Sequence, residues 1–412
     1  MDLFTIISVL MVLVAIFAYL NSRFLKLQTT IGTMIISIAF SLAILGLSKL
    51  FPELIELEKN IVGSINFKKL LMDGLLSFML FAGAVHVNIN ELKSQKWKIV
   101  AFASLGVLVS TAFVGSIFFW VLQQLGMPLP LVHCLLFGAL ISPTDPISVL
   151  GILKKVGIKK SMETTIVGES LFNDGVGVVI FLTLLQFANA GNLDGIEPLS
   201  IAENFLVEIG GGLLFGYVLG RIAHRAISKI NSYETEVLIT LGMVMGGYAL
   251  AGKIGVSGPI SMVVAGLFIG NKTYRQEKKE TTVDYVDKFW QLIDILTNAV
   301  LFVLIGLEIV LIPFTQQLIL VGILAAIVVI VSRYLSVSAL VILLRKWLSF
   351  DSKTSLLMTW GGLRGGISIA MALSLPVDVS WDYIVPVTYL VVIFSIIVQG
   401  LTLEKVIVRI TK

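Results

Sequence analysis

Ile141–Lys155 reads ISPTDPISVLGILKK. An aspartate, Asp145, lies between Pro143 and Pro146 and beside Thr144, in a run otherwise apolar enough to cross a membrane. Proline removes a backbone donor and breaks a helix. An acid at the bilayer centre costs at least ~2.5–3.5 kcal/mol on insertion scales. A second stretch of the same kind is Thr359–Ser368, TWGGLRGGIS, where four glycines surround Arg364. Either stretch alone reads as a helix kink, which Pro and Gly readily cause in membranes. As a matched pair, each holding a charge, they read as two helices unwound where they cross.

The rest of the chain supports a membrane setting. Of 412 residues, 57% are hydrophobic and 14% charged, against roughly 25% charged in a soluble domain. Mean hydropathy is +0.98. The first twenty residues lack a basic leader region and read as a retained helix, not a signal peptide. The single cysteine, Cys134, makes no internal disulfide and no metal site. Nothing in the composition points to nucleic acid, and the partner it does point to is the lipid bilayer.

Apolar runs near the spanning length recur about 13 times. Their cores are 3–20, 30–49, 67–88, 98–124, 131–153, 163–188, 205–228, 234–252, 256–270, 284–312, 316–344, 354–375 and 384–406. Alternate loops are basic, as in ELKSQKWK, KKVGIKK and RIAHRAISK, and the opposite ones are acidic or neutral. Cytoplasmic loops collect Lys and Arg. The N-terminus is therefore expected outside, and the C-terminus in the cytoplasm. An odd span count permits six plus one plus six, with a linker helix that inverts the second unit. The broken stretches then fall in the fifth span of each unit, spans 5 and 12, the arrangement of inverted-repeat transporters.

The charges at depth are Asp145, Glu169, Asp174, Arg333 and Arg364. At ~1.5 Å per residue they lie roughly 14–20 Å from the basic ends, close to mid-membrane. Span 6 reads VGESLFNDGVGVVIF, with Glu169/Asn173 and Ser170/Asp174 forming adjacent i,i+4 rows. A polar stripe facing another helix is the plainer reading, but two carboxylates with Ser and Asn on one short arc exceed what packing requires. Carboxylates, hydroxyls and freed carbonyls suit a hard cation. Three acids against two arginines leave one negative charge, which one monovalent cation or one proton would neutralise. A site that holds one or the other is a competitive exchanger. Asp73 and Asp294 are left outside this count; they read either as lining an access funnel or as positions close to water, and the second is favoured. His86, His133 and His224 fall at or beyond span ends and read as packing or surface groups, with a modest pH-sensing part as the alternative.

With these residues in view, SPTDP, GESLFNDGVGVV, FWQLIDILTNAVLFVLIGLE and GGLRGGISIA resemble the sodium/proton antiporters of the NhaP and NHE type, cation:proton antiporter family 1. The resemblance runs from about span 3 to span 13. It implies an all-α polytopic membrane protein with the NhaA-like fold, a homodimer in the plasma membrane serving pH homeostasis, and no cofactor. It implies a dimerisation domain in two parts, 1–96 and 191–312, the second including the linker helix. It also implies a mobile core at 97–190 and 313–412. By the same resemblance Asp174 holds cation or proton, and Na+ (also Li+) is bound by Asp174, Asp145, Ser170 and Thr144. Glu169 pairs with Arg333, and Arg364 balances the half-helix ends of span 12. Asn173 stands where electrogenic relatives carry a second Asp, so an electroneutral 1:1 exchange by alternating access is expected. Exchange of K+ for H+ is the main alternative. A cation-coupled symporter or channel is a weaker one. An intramembrane aspartyl protease using Asp145 and Asp174 is weaker still, and the expectation is a transporter, not an enzyme.

Overall fold

The computed structural model describes residues 3–47, 69–145, 156–190, 198–230, 232–274, 280–312, 315–351, 353–376 and 379–411, with the isolated positions 53, 56, 63, 149 and 153. Most of the expected second half of span 5 therefore lies outside the described residues. So do most of the loop at 48–68 and the loop at 191–197.

All regular structure among the described residues is helical. The helices are α1 (Leu3–Leu20), α2 (Thr29–Leu47), α3 (Leu76–Val85), α4 (Ile89–Gln124), α5 (Leu131–Ile141), α6 (Lys160–Ala190) and α7 (Pro198–Ile227). There follow α8 (Tyr233–Ile254), α9 (Gly258–Phe268), α10 (Glu280–Glu308), α11 (Gln316–Leu344), α12 (Thr354–Trp360), α13 (Gly366–Leu373) and α14 (Trp381–Ile410). Each apolar stretch named above contains helix. Nine helices among the described residues are long and apolar enough to cross a membrane: α1, α2, α4, α6, α7, α8, α10, α11 and α14.

Local chemistry sets several of the ends. Asn88, Ser232, Ser257 and Thr315 cap α4, α8, α9 and α11, each side chain accepting a first-turn N–H. Gly255 ends α8 in the left-handed region at φ 73°. Helix α4 begins at Ile89, not near the expected 98. The Asn88 cap and the helix-forming run ELKSQKWK carry it past the apolar segment.

Two packing groups position the site. In one, α10 lies against α1, α2, α3 and α8, and α9 joins α3, α7 and α8. In the other, α4, α5, α11, α12, α13 and α14 pack together, and α6 is packed on α4 and α5. The apolar windows of α6, α10 and α14 are 61–67% buried, against 17% and 22% for α7 and α8. The site helices are thus central, and α7 and α8 turn apolar faces such as Leu206, Leu214 and Leu238 outward.

Candidate functional site

Each of the two stretches contains a non-helical segment. Helix α5 stops at Ile141, and Pro143–Asp145 are non-helical. Helices α12 and α13 are parted by the irregular stretch Gly361–Gly365. The two breaks meet, because the Asp145 N–H donates to the Leu363 carbonyl at 2.8 Å. Such a bond satisfies backbone groups that the broken helices free, which a lipid environment demands. The glycines around Arg364 allow the approach. A Cβ on Gly365 would stand 2.8 Å from Asp145 Cβ, and one on Gly362 would stand 3.1 Å from Thr144 Cγ2.

Arg364 is 2% exposed. Its guanidinium donates to the Ser142 carbonyl and, at 3.2 Å, to that of Pro143. These bonds go to the carbonyl end of α5, where the helix dipole is negative. The expectation had placed Arg364 on the ends of span 12, its own element; the structure aims it at the other broken helix. Its backbone N–H donates to Ser395 Oγ at 3.0 Å, within a π-turn of α14 at Ser395–Gln399.

Helix α6 supplies the facing wall. Thr144 Oγ1 and Ser170 Oγ share a hydrogen bond of 2.9 Å. The Asn173 amide donates to Thr144 Oγ1 at 2.9 Å, and its oxygen accepts from the Thr144 N–H at 3.4 Å. Asn173 thus ties the broken segment to α6 through both faces of one amide. An aspartate there would keep the acceptor and lose the donor. One turn back, Arg333 of α11 meets Glu169 at 2.7 Å, with side-chain exposures of 3% and 1%. Pairing of this kind is what makes burial of both charges tolerable.

A cavity of about 600 Å³ reaches this crossing. Thr144, Asp145 and Asp174 line its depth, and Gly365 and Ser368 contribute from the second break. Asp174 is 8% exposed. His86, Asn88, Glu91, Lys160 and Glu163 also line the cavity, so it extends to the helix ends beside the basic loops. Lys160 bridges Glu163 at 3.1 Å and Glu91 at 3.4 Å, and His86 faces Asp287 at 3.5 Å. His86 is thus a cavity residue. His133 bonds Ser380 Oγ at 2.8 Å and His224 bonds Thr273 Oγ1 at 2.9 Å.

Of two further cavity residues, Asp294 was left outside the charge count and Asn298 was not named from the sequence. Asp294 and Asn298 of α10 line the same space as Asp145 and Asp174. Of the two readings of Asp294, its place in the cavity fits the access funnel and not the favoured one of a position merely close to water. Its i,i+4 spacing from Asn298 is the signal that could have found it. Asp73 remains unassigned, since its side chain lies outside what is described. Among the described residues, no group of three or more His, Cys, Asp or Glu side chains is arranged to hold a metal ion. A transported cation would be cargo, bound by mixed hydroxyl, carbonyl and carboxylate oxygens.

A helix end and a helix break that meet beside a buried carboxylate, in a fold of apolar helices, match the arrangement common in secondary transporters. A sequence model of the family described as "Sodium/hydrogen exchanger, transmembrane" matches residues 10–409. The Na+/H+ antiporter NhaP of Pseudomonas aeruginosa is 43% identical over 98% of this chain and 96% of its own length. The Na+/H+ antiporter NhaH of Halobacillus aidingensis is 34% identical over 88% of both chains. The solved structure of the sodium proton antiporter MjNhaP1 from Methanocaldococcus jannaschii at pH 8 superposes with a TM-score of 0.76 at 20% identity, covering 98% of each chain. This chain belongs to the sodium/hydrogen exchanger family. It is a multi-pass membrane transporter and not an enzyme.

Proposed function

We propose that this chain exchanges Na+ for H+ across the cell membrane, one for one, by alternating access, as a homodimer. The observation that carries this reading is a buried Asp174 lining a cavity together with Asp145, whose N–H bonds the Leu363 carbonyl. Asp174 binds Na+ or a proton. Asp145, Thr144 and Ser170 complete the oxygen set for the cation. The Glu169–Arg333 pair, Arg364 and Asn173 hold that set in place.

The relatives are named as Na+/H+ antiporters, and this favours Na+ over the K+ alternative. The cavity extends to the helix ends beside the basic loops, so we assign its mouth to the cytoplasm, with the C-terminus on that side and the N-terminus outside. The group containing α4–α6 and α11–α14 is taken as the moving core. The group containing α1–α3 and α7–α10 is taken as the scaffold and dimer contact, consistent with the outward apolar faces of α7 and α8.

Stoichiometry supplies the test. Asn173 carries no titratable proton, and Asp145, Glu169, Asp174, Arg333 and Arg364 sum to minus one. With one Na+ or one H+ bound, the carrier has the same charge on both legs. In proteoliposomes, a potassium–valinomycin potential should then leave the equilibrium ratio of Na+ to H+ gradients unchanged. A charge that crosses 100 mV is worth ~2.3 kcal/mol, so an electrogenic cycle would shift that ratio plainly. A pH signal driven by K+ as strongly as by Na+ would select the K+/H+ alternative instead.

A further inference from the structure

Asp294 stands on α10, a helix packed against α1, α2, α3 and α8. Its carboxylate nonetheless lines the cavity that reaches Asp145 and Asp174. Asn298, one turn on, donates to Asp294 Oδ1 at 2.9 Å and to the Asp294 carbonyl at 2.8 Å. The amide fixes the carboxylate on the cavity side of α10 and occupies one of its oxygens. Among the described residues Asp294 takes part in no salt bridge, unlike Glu169, whose charge Arg333 balances. The neighbouring wall is apolar, with Met79, Leu80, Leu171 and Ile367.

A cleft lined by one sign of charge with low-dielectric walls concentrates the opposite ion. The rest of the lining adds to this sign, since Glu91 and Glu163 face one lysine, Lys160. Negative charge therefore runs from the mouth to the crossing, and Asp294 is the part of it that belongs to the scaffold group.

We infer that Asp294 is a staging carboxylate for the transported cation, drawing Na+ into the cavity and passing it to Asp174 and Asp145 from this side only. The inference rests on the exchange reading above. When the crossing turns to the other side of the membrane, Asp294 stays behind with α10, so ions arriving from the far side never meet it. Asp294 is a specificity- and affinity-setting residue of the route and does not itself carry the cation across.

The test is Asp294→Asn in proteoliposomes of defined orientation, with Na+ presented to each face in turn. The half-saturating Na+ concentration at the cavity face should rise about tenfold, the low end of what such focusing contributes. The maximal rate and the value at the opposite face should hold. Asp294→Glu should restore the wild-type value. Asp294→Ser, neutral and smaller, is the second variant and should show the same one-sided rise, so a folding defect of the Asn variant leaves the test intact. An unchanged value at both faces, an equal rise at both, or a loss of rate alone would overturn the assignment. If the wild type shows no Na+-driven proton flux, the exchange reading falls first. If exchange stands and the affinity does not move, Asp294 alone is wrongly placed.

Discussion

Asp174→Asn is expected to fold, insert and show no Na+-driven proton movement above the lipid background. Asparagine keeps the shape of the side chain and removes the charge, which lowers the cost of burial. It also removes the one group proposed to bind both substrates, so both legs of the cycle are lost together. The check is a pH dye inside proteoliposomes, with protein integrity confirmed by size-exclusion profile and thermal midpoint. Wild-type-like exchange by a well-folded variant contradicts the assignment. Asp145→Asn is a useful contrast. The link from Asp145 to Leu363 uses the backbone N–H, so the crossing should survive, and impairment would then report the carboxylate itself.

The second large effect concerns Glu169 and Arg333. Both are buried, and one guanidinium nitrogen stands within 2.8 Å of Glu169 Oε2 and 2.7 Å of Oε1. Removing one partner leaves an uncompensated charge, typically worth ~3–5 kcal/mol. Glu169→Gln and Arg333→Gln should each lower the thermal midpoint in detergent substantially. The double variant should lose much less than the sum, because it buries no lone charge. Additive losses would show that the two side chains do not act as a pair.

Much of this site was legible because charge in a membrane is scarce. Asp145, Glu169, Asp174, Arg333 and Arg364 stand out of apolar runs, and the two Pro- or Gly-rich stretches mark where helices break. What the sequence concealed is direction. Arg364 lies among the glycines of span 12, and the family resemblance implied that it serves the half-helix ends of that span. Only the crossing shows that it reaches the α5 carbonyls. The two-sided amide contact of Asn173 with Thr144 likewise joins positions 29 apart in the chain.

Asp294 was placed near water rather than along the access route for a different reason. It follows Asp284, Asp287, Lys288 and Gln291, a polar run that makes depth along α10 hard to read from composition. Hydropathy places a helix along the membrane normal but does not say that a cavity descends beside it. The π-turns at Phe102–Gly106, Ile269–Tyr274 and Ser395–Gln399 were invisible for a similar reason. One extra residue in a turn leaves no mark in an apolar pattern. The start of α4 at Ile89 shows the reverse case, where helix propensity and a cap extend an element beyond what burial requires.

The central claim is that Na+ and a proton compete for one carboxylate, and proton release on binding measures this most directly. Detergent-solubilised protein is placed in weakly buffered solution near neutral pH, and Na+ is added while bulk pH and bound Na+ are recorded together. The account predicts that protons are released as Na+ binds, in a ratio that does not exceed one and rises toward one as the starting pH is lowered. Asp174→Asn should release none. Saturable Na+ binding that releases no protons at any starting pH, or a release that persists in Asp174→Asn, would contradict it.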